Sequence, residues 1–248
     1  MTYCVGMSME EGLVLLSDTR TNAGVDQVNT FRKMNVFEKP GERVMVLMSA
    51  GNLAITQAVV GLLRERIDSQ DESLLTQVNM FEAARHVGKC IRAMHEHDAA
   101  ALSAFGIDFN ASFILGGQIA GEAPRLFSIY AAGNFIEATS DTPYFQIGES
   151  KYGKPIIDRI FRWNSSLSDA AKCALISMDS TLKSNLSVGL PLDLVCYRRD
   201  SLRLEGRARI DADHPFFAEL RRQWGERIKQ AFSDLPDLDL GTCVGAGK

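Results

Sequence analysis

Apolar residues in this 248-residue chain follow two spacings by turns, and the order in which those spacings succeed one another restricts the fold more than any short motif. Thr2 to Met7 and Gly12 to Ser17 are apolar runs split by the turn signal Glu10-Glu11-Gly12, which predicts a hairpin. Phe31 to Phe37 and Arg43 to Ser49 read as two more strands, joined through Lys39-Pro40-Gly41-Glu42. After Gly51 the period changes. Ile55, Val59, Leu62 and Leu63 share one helical face, and Met80, Ala84, Val87, Ile91 and Met94 share another. Strand patterns return at Ala111 to Gly117, Arg125 to Ala131 and, more weakly, Tyr144 to Ile147. Helical spacing then links Ala171, Ala174, Leu175, Met178 and Leu182, with strands at Leu192 to Arg198 and Leu202 to Ile210. Pro215 opens a last helix bearing Phe217, Leu220, Trp224 and Ile228. Strands, helices, strands, helices is the order an α+β fold needs to build a four-layer α-β-β-α sandwich, two sheets face to face with helices outside. Periodicity by itself leaves other α+β arrangements open.

Residues 1–234 are expected to form one domain, since 46% hydrophobic and 23% charged residues suit a single enzyme-sized core. Residues 235–248, with Pro236, two Asp-Leu pairs and scattered glycines, lack a sustained period and read as a tail crossing the surface or a neighbouring subunit. A formal net charge of −4, without a Lys/Arg block, gives no footprint for nucleic acid or an anionic membrane. No basic segment precedes an apolar one at the start, and no apolar run approaches the roughly 18 residues of a membrane span, so a cytoplasmic protein is expected. The five cysteines, Cys4, Cys90, Cys173, Cys196 and Cys243, are odd in number and form no CxxC pair, which suits a reducing compartment. His95-Glu-His-Asp98 contains metal-ligand types. Residues two apart on a helix point to different sides, however, and the helical zinc pattern uses i, i+4, so the stretch reads as a solvated helix end. No metal and no cofactor are expected. In Asn164-Ser-Ser-Leu-Ser-Asp169, Ser168 or Asp169 reads as the N-cap of the helix that follows.

The chemistry suggested by the first residues is more specific. Removal of Met1 would leave Thr2 with a free α-amine, placing a hydroxyl nucleophile and its base on one residue. An α-amino group, with a reference pKa of about 7.7 to 8.0, keeps an appreciable neutral fraction near pH 7, which a free lysine does not. Asp18, Lys33 and Gly51 follow in short order. A Lys33 ammonium would favour the neutral amine, Asp18 would hold that lysine charged and oriented, and Gly51, ahead of a helical run, would present a backbone N–H to an oxyanion. The same residues also suit plainer roles: Asp18 at a turn or in a salt bridge with Lys33, Lys33 solvated, Gly51 a break between strand and helix.

Thr2, Ser17-Asp18-Thr-Arg20, Lys33 and Ser49-Ala-Gly51 together resemble the N-terminal signature of proteasome β-type subunits, which are N-terminal nucleophile hydrolases. The opening Met-Thr-Tyr-Cys-Val-Gly, the stretch Ser17-Asp-Thr-Arg-Thr-Asn-Ala-Gly24 and the later Ser177-Met-Asp-Ser-Thr-Leu-Lys-Ser-Asn-Leu-Ser-Val-Gly189 are most similar to the bacterial proteasome-like family called Anbu, over most of residues 1 to 232. The resemblance implies the four-layer sandwich, Thr2 as nucleophile, Lys33 and Asp18 tuning its amine, and the Gly51 N–H in the oxyanion hole. It also implies a serine and an Asp-x-x-Ser element around the amine, where this chain departs from the family pattern. Ile147-Gly-Glu-Ser-Lys151 offers Glu149 or Ser150 for the first slot, with Ser150 favoured. Asp179 fits the acid of the second, but Leu182 stands three residues on, leaving Ser180 or Ser184. The implied activity is hydrolysis of a peptide or amide through an acyl-enzyme on Thr2, the implied assembly a homo-oligomeric ring or open helical washer. The alternatives are an amide-forming acyl transferase using the same Thr2, or a non-catalytic scaffold in which Thr2 is never freed. An unfoldase partner is not specified by the sequence.

Overall fold

The structure, a computed structural model, describes residues 2–23, 27–69 and 72–238. Met1 and its removal, Gly24 of the quoted stretch, Cys243 and tail residues 239–248 lie outside the described residues. The chain separates into two compact units, Met1–Ala212 and Asp213–Lys248.

In the larger unit, β1 (Tyr3–Met9) and β2 (Gly12–Asp18) form the expected hairpin. Every residue of both strands is buried, which is why they read as nearly continuous apolar runs. β3 (Arg20–Ala23) and β4 (Gln27–Thr30) form a small separate hairpin that the sequence pattern does not announce, because neither strand alternates apolar and polar residues. β5 (Met34–Lys39) and β6 (Arg43–Gly51) follow, then α1 (Leu53–Asp68) and α2 (Met80–Ala104). The strand expected from Phe31 begins only at Met34, because residues 31–33 form the exit from the small hairpin. β7 (Ala111–Ile119), β8 (Arg125–Ile129), β9 (Phe135–Glu137) and β10 (Tyr144–Gly148) form the second strand block. A short helix that the sequence reading does not contain, α3 (Lys154–Ile160), precedes α4 (Leu167–Ser184). At seven residues, with a Pro in its first turn, α3 is too short to show a period. β11 (Leu192–Arg198) and β12 (Gly206–Ile210) complete the unit; β12 starts four residues later than the pattern from Leu202 suggests.

One sheet runs β10-β1-β2-β11-β12 and the other β5-β6-β7-β8-β9. Alternation along the strands separates two cores. Val44, Val46, Met48 and Ala50 of β6 meet Cys4, Leu13, Leu15 and Val195 between the sheets. Met45 and Leu47 of the same strand pack outward on Ile55, Val59, Val87 and Ile91 of α1 and α2. α4 lies on the outer face of β1 and β2. The larger unit is therefore an α-β-β-α sandwich, the central strands of each sheet buried on both faces and the edge strands β9 and β12 largely exposed. Side-chain caps fix the helix starts: Asn52 accepts from Ala54 and Ile55 N–H in α1, Asn79 from Glu82 N–H in α2, and Ser166 from Asp169 N–H in α4, so that the cap of α4 is Ser166 and the expected Ser168 and Asp169 lie within its first turn.

The smaller unit carries α5 (Pro215–Ser233), opened by Pro215 as expected. Phe217 is buried, Leu220 and Trp224 are half-buried and Ile228 is exposed, and Arg222 bridges Glu219 and Glu226 on the helix surface.

Candidate active site

Thr2 stands at the start of β1 and is almost buried, with 9% of its surface exposed. Two backbone devices hold it. Its carbonyl accepts the Glu149 N–H at 2.7 Å, and the β1–β10 register sets Tyr3 opposite Gly148. A Cβ on Gly148 would stand 1.9 Å from the Thr2 carbonyl oxygen, and its φ of +81° already lies in the left-handed region. Only glycine lets β10 pass this close.

Asp18 ends β2 and is fully buried, yet it is well supplied with donors. Tyr3 N–H donates to Oδ1 at 3.1 Å, Lys33 Nζ to the same oxygen at 2.6 Å, and Gly189 N–H to Oδ2 at 3.3 Å. Burial pushes the carboxyl up from its ordinary value, while the Lys33 charge and these hydrogen bonds pull it back. Lys33, also buried, donates to the Arg20 carbonyl at 2.6 Å as well. The β3–β4 hairpin brings the pair together: Arg20 is in register with Thr30, Phe31 N–H donates to Thr19 O at 2.8 Å, and two residues further the chain delivers Lys33 beside Asp18. The hairpin's polar strands thus have a positional role.

Gly51 is the last residue of β6, opposite Ala111, with φ +114°. Ser49 N–H donates to Lys33 O and Asn52 N–H to Asn110 O. Because antiparallel ladder bonds alternate in direction, odd-numbered residues here bond toward β5 and even-numbered ones toward β7. The Gly51 N–H therefore points away from β7, to the side where β5 has not yet begun. Thr2, Lys33, Gly51 and Glu149 line one cavity of about 810 Å³ at this point.

The cavity wall carries Glu149 and not Ser150. Ser150 donates its N–H to Gly148 O and its carbonyl accepts the Lys154 N–H at 3.0 Å, so its backbone lies in the turn that leads into α3. Asp179 is buried on α4, with Lys183 Nζ at 3.5 Å, and does not line the cavity either. The Ser180 hydroxyl turns back to the Ile176 carbonyl of its own helix. Of the six residues singled out in the sequence, the structure gathers Thr2, Asp18, Lys33 and Gly51 through shared bonds or a shared wall. Ser150 and Asp179 do not line that wall.

Two groups escape sequence reasoning. The Tyr3 hydroxyl meets Ser177 Oγ and accepts from Gln146 Nε2, tying the residue after Thr2 to α4 and β10; burial pushes this phenol far above its ordinary range. Gly189 is in the quoted Ser177-to-Gly189 stretch, but nothing local marks its N–H as a donor to Asp18. Cys4 packs within β1, and its buried Sγ faces the Ser49 carbonyl at 3.8 Å. Among the described residues no group of three or more His, Cys, Asp or Glu side chains is placed to hold a metal, and no helix is long and apolar enough to cross a membrane.

The family described as proteasome subunit matches residues 2–193. A comparison with curated proteins gives no match. Among solved structures, the chain is similar to the Anbu (ancestral beta-subunit) protein from Yersinia bercovieri, at 54% identity over 96% of this chain and 99% of that one, with a TM-score of 0.91. Anbu from Hyphomicrobium sp. strain MC1 is 51% identical over 96% of this chain and 100% of that one, TM-score 0.87. A helical assembly of the Anbu complex from Pseudomonas aeruginosa gives 48% over 96% and 99%, TM-score 0.93.

Proposed function

This chain belongs to the proteasome subunit family, in its Anbu branch, and from that premise we propose that it is an N-terminal threonine hydrolase acting on a peptide or amide bond. The observation that carries the reading is the single cavity shared by Thr2, Lys33 and Gly51, with Asp18 hydrogen-bonded both to Lys33 and to the peptide N–H that follows Thr2.

Removal of Met1 turns the Thr2 nitrogen from an amide into an amine. That amine accepts the hydroxyl proton, directly or through one water, as Oγ attacks the substrate carbonyl. The Lys33 charge, held by Asp18, disfavours a second positive charge nearby and keeps the amine neutral. The Gly51 N–H stabilises the oxyanion of the tetrahedral intermediate. The protonated amine then gives its proton to the leaving nitrogen, and water releases the acyl group from Thr2 by the reverse sequence. Glu149 takes the place the family pattern gives to a serine near the amine, while Ser150 and Asp179 act through the backbone and packing around it. Like the Pseudomonas aeruginosa protein in its helical assembly, this chain self-associates, as a ring or an open helical washer, in the cytoplasm.

The intact mass of the purified protein, before and after a peptidyl epoxyketone, tests the mechanism. Loss of Met1 and one adduct on Thr2 are expected. The Thr2→Ala protein should assemble normally and form no adduct; full activity in that variant would sink the mechanism, and uniform retention of Met1 would favour the scaffold.

A further inference from the structure

Which amides the cavity admits depends on the charge of its walls. One wall is a stripe of α1, Leu53, Gln57, Val60 and Arg64, spaced three or four residues apart and so on one face. At 1.5 Å per residue, Arg64 lies about 16 Å along the axis from Leu53, the end nearest Gly51. Its guanidinium donates to Asn35 Oδ1 at 2.9 Å, a neutral acceptor that orients the charge without cancelling it. Arg32, on the same cavity, is exposed. Neither arginine forms an ion pair among the described residues. Lys33 differs from both, since its charge is matched by Asp18. The one carboxylate on the wall among the described residues, Glu149, has Lys151 Nζ 3.7 Å away. A chain with a formal net charge of −4 thus lines this cavity with two uncompensated guanidinium groups.

Guanidinium groups bind carboxylates through a planar fork of N–H donors, and two of them facing one cavity both favour an anionic occupant. We infer that the cavity selects acidic peptides, substrates that carry a Glu or Asp side chain within a few residues of the cleaved bond. The inference rests on the hydrolase reading for what happens to the bound peptide, and on Arg32 and Arg64 alone for the choice of charge.

Two measurements separate these. Fluorescent peptides identical except for Glu, Gln or Lys at one position are titrated into the full-length Thr2→Ala protein, where they remain uncleaved. The Glu peptide should bind about tenfold more tightly than the Lys peptide at low salt, the effect of one charge contact at intermediate dielectric. The gap should narrow at ~0.5 M salt. Arg32→Glu with Arg64→Glu should reverse the order; if that double variant does not assemble, Arg64→Gln should cut the preference by about threefold. Equal affinities, a preference for Lys, or no binding of any peptide would overturn the inference. In parallel, epoxyketones bearing the same three side chains are applied to the protein with Thr2 intact. Adducts on Thr2 that form fastest with Glu support both readings. Adducts with no preference overturn the charge selection and keep the hydrolase. A binding preference with no adduct from any of the three keeps the acidic-peptide site and overturns the threonine mechanism.

Discussion

Substituting Gly51 by Ala perturbs the proposed oxyanion donor and the sheet at one atom, and the structure sets the size of both effects. A Cβ built at Gly51 stands 2.4 Å from the Asn110 carbonyl oxygen and 3.1 Å from Ala111 Cα, both backbone atoms that cannot swing aside. Restoring even a 3.0 Å approach needs β6 and β7 to part by about 0.6 Å at their ends. The φ of +114° adds strain for any L side chain. Left-handed backbone costs about 1–2 kcal/mol and overpacking about 1–3 kcal/mol, so Gly51→Ala should destabilise by roughly 3–4 kcal/mol. Gly41, in the β5–β6 turn, supplies the control: its φ is +81°, but a Cβ there meets nothing within 4 Å. Gly41→Ala should therefore show the strain alone, about 1 kcal/mol. Urea unfolding measures both stabilities, and the rate of epoxyketone adduct formation measures the site. Retreat of β6 turns the Gly51 N–H off its line, and loss of one oxyanion donor slows chemistry by about 10²-fold or more. Only Gly51→Ala should show that slowing. Equal stability of the two variants, or an unimpaired labelling rate in Gly51→Ala, would refute both the packing account and the donor's direction.

Three further outcomes follow from buried groups. Lys33→Met leaves Asp18 buried without its counter-charge and should cost about 3–5 kcal/mol at neutral pH along with all labelling of Thr2. In that variant only the upward push of burial and two N–H bonds act on the carboxyl, so the native state holds the Asp18 proton to higher pH than the unfolded chain does. Stability then falls as pH rises through that window, and the deficit against the parent should shrink as pH drops toward the ordinary carboxylate range; a deficit that grows on acidification contradicts this. Tyr3→Phe strips a partner from buried Ser177 and half-buried Gln146 and should cost about 1–3 kcal/mol in urea unfolding, with a near-parental melting curve the contrary result. His86 is buried, its Nδ1 lacks a hydrogen bond, and burial holds its pKa below the ordinary value against the pull of Glu72 3.8 Å away. The unfolded chain takes up this proton first as pH falls below about 6.5, so the parent should lose stability on that side; His86→Gln should lose less, and identical acid limbs would exclude His86 as the group responsible.

The fold was readable where an element is long and buried on a regular face, and the exceptions have physical causes. β1, β2, α1, α2 and α4 announce themselves because their apolar residues repeat against a layer that covers them. β3 and β4 do not, because the work of that hairpin is to carry the chain from Asp18 round to Lys33, and its strands need no apolar face for that. The four-layer order was consistent with the pattern, but the resemblance of the N-terminal residues chose it, since strand periodicity is blind to which sheets face each other.

The site divides along the same line. Thr2, Asp18, Lys33 and Gly51 are legible because acid–base chemistry demands particular residue types, and those types occur in the right order over the first 51 residues. The slots around them are not legible from side-chain identity, because backbone atoms fill several of them. The Arg20 carbonyl accepts from Lys33, the Gly189 N–H donates to Asp18, and the Glu149 N–H fixes the Thr2 carbonyl. Any residue except proline offers an N–H, so these positions leave no mark in the sequence unless a close approach requires glycine, as at Gly148. Which of Glu149 and Ser150 faces the cavity thus depends on where β10 ends. Gly148 ends β10 against Thr2 and hands the next residue's N–H to the Thr2 carbonyl, so Glu149 reaches the cavity wall while Ser150 lies in the turn that leads into α3. A one-residue slip in the β1–β10 register would exchange these two residues, and no local feature of Ile147-Gly-Glu-Ser-Lys151 excludes that slip. The close passage of Gly148 against the Thr2 carbonyl, a contact between residues 146 positions apart, does exclude it.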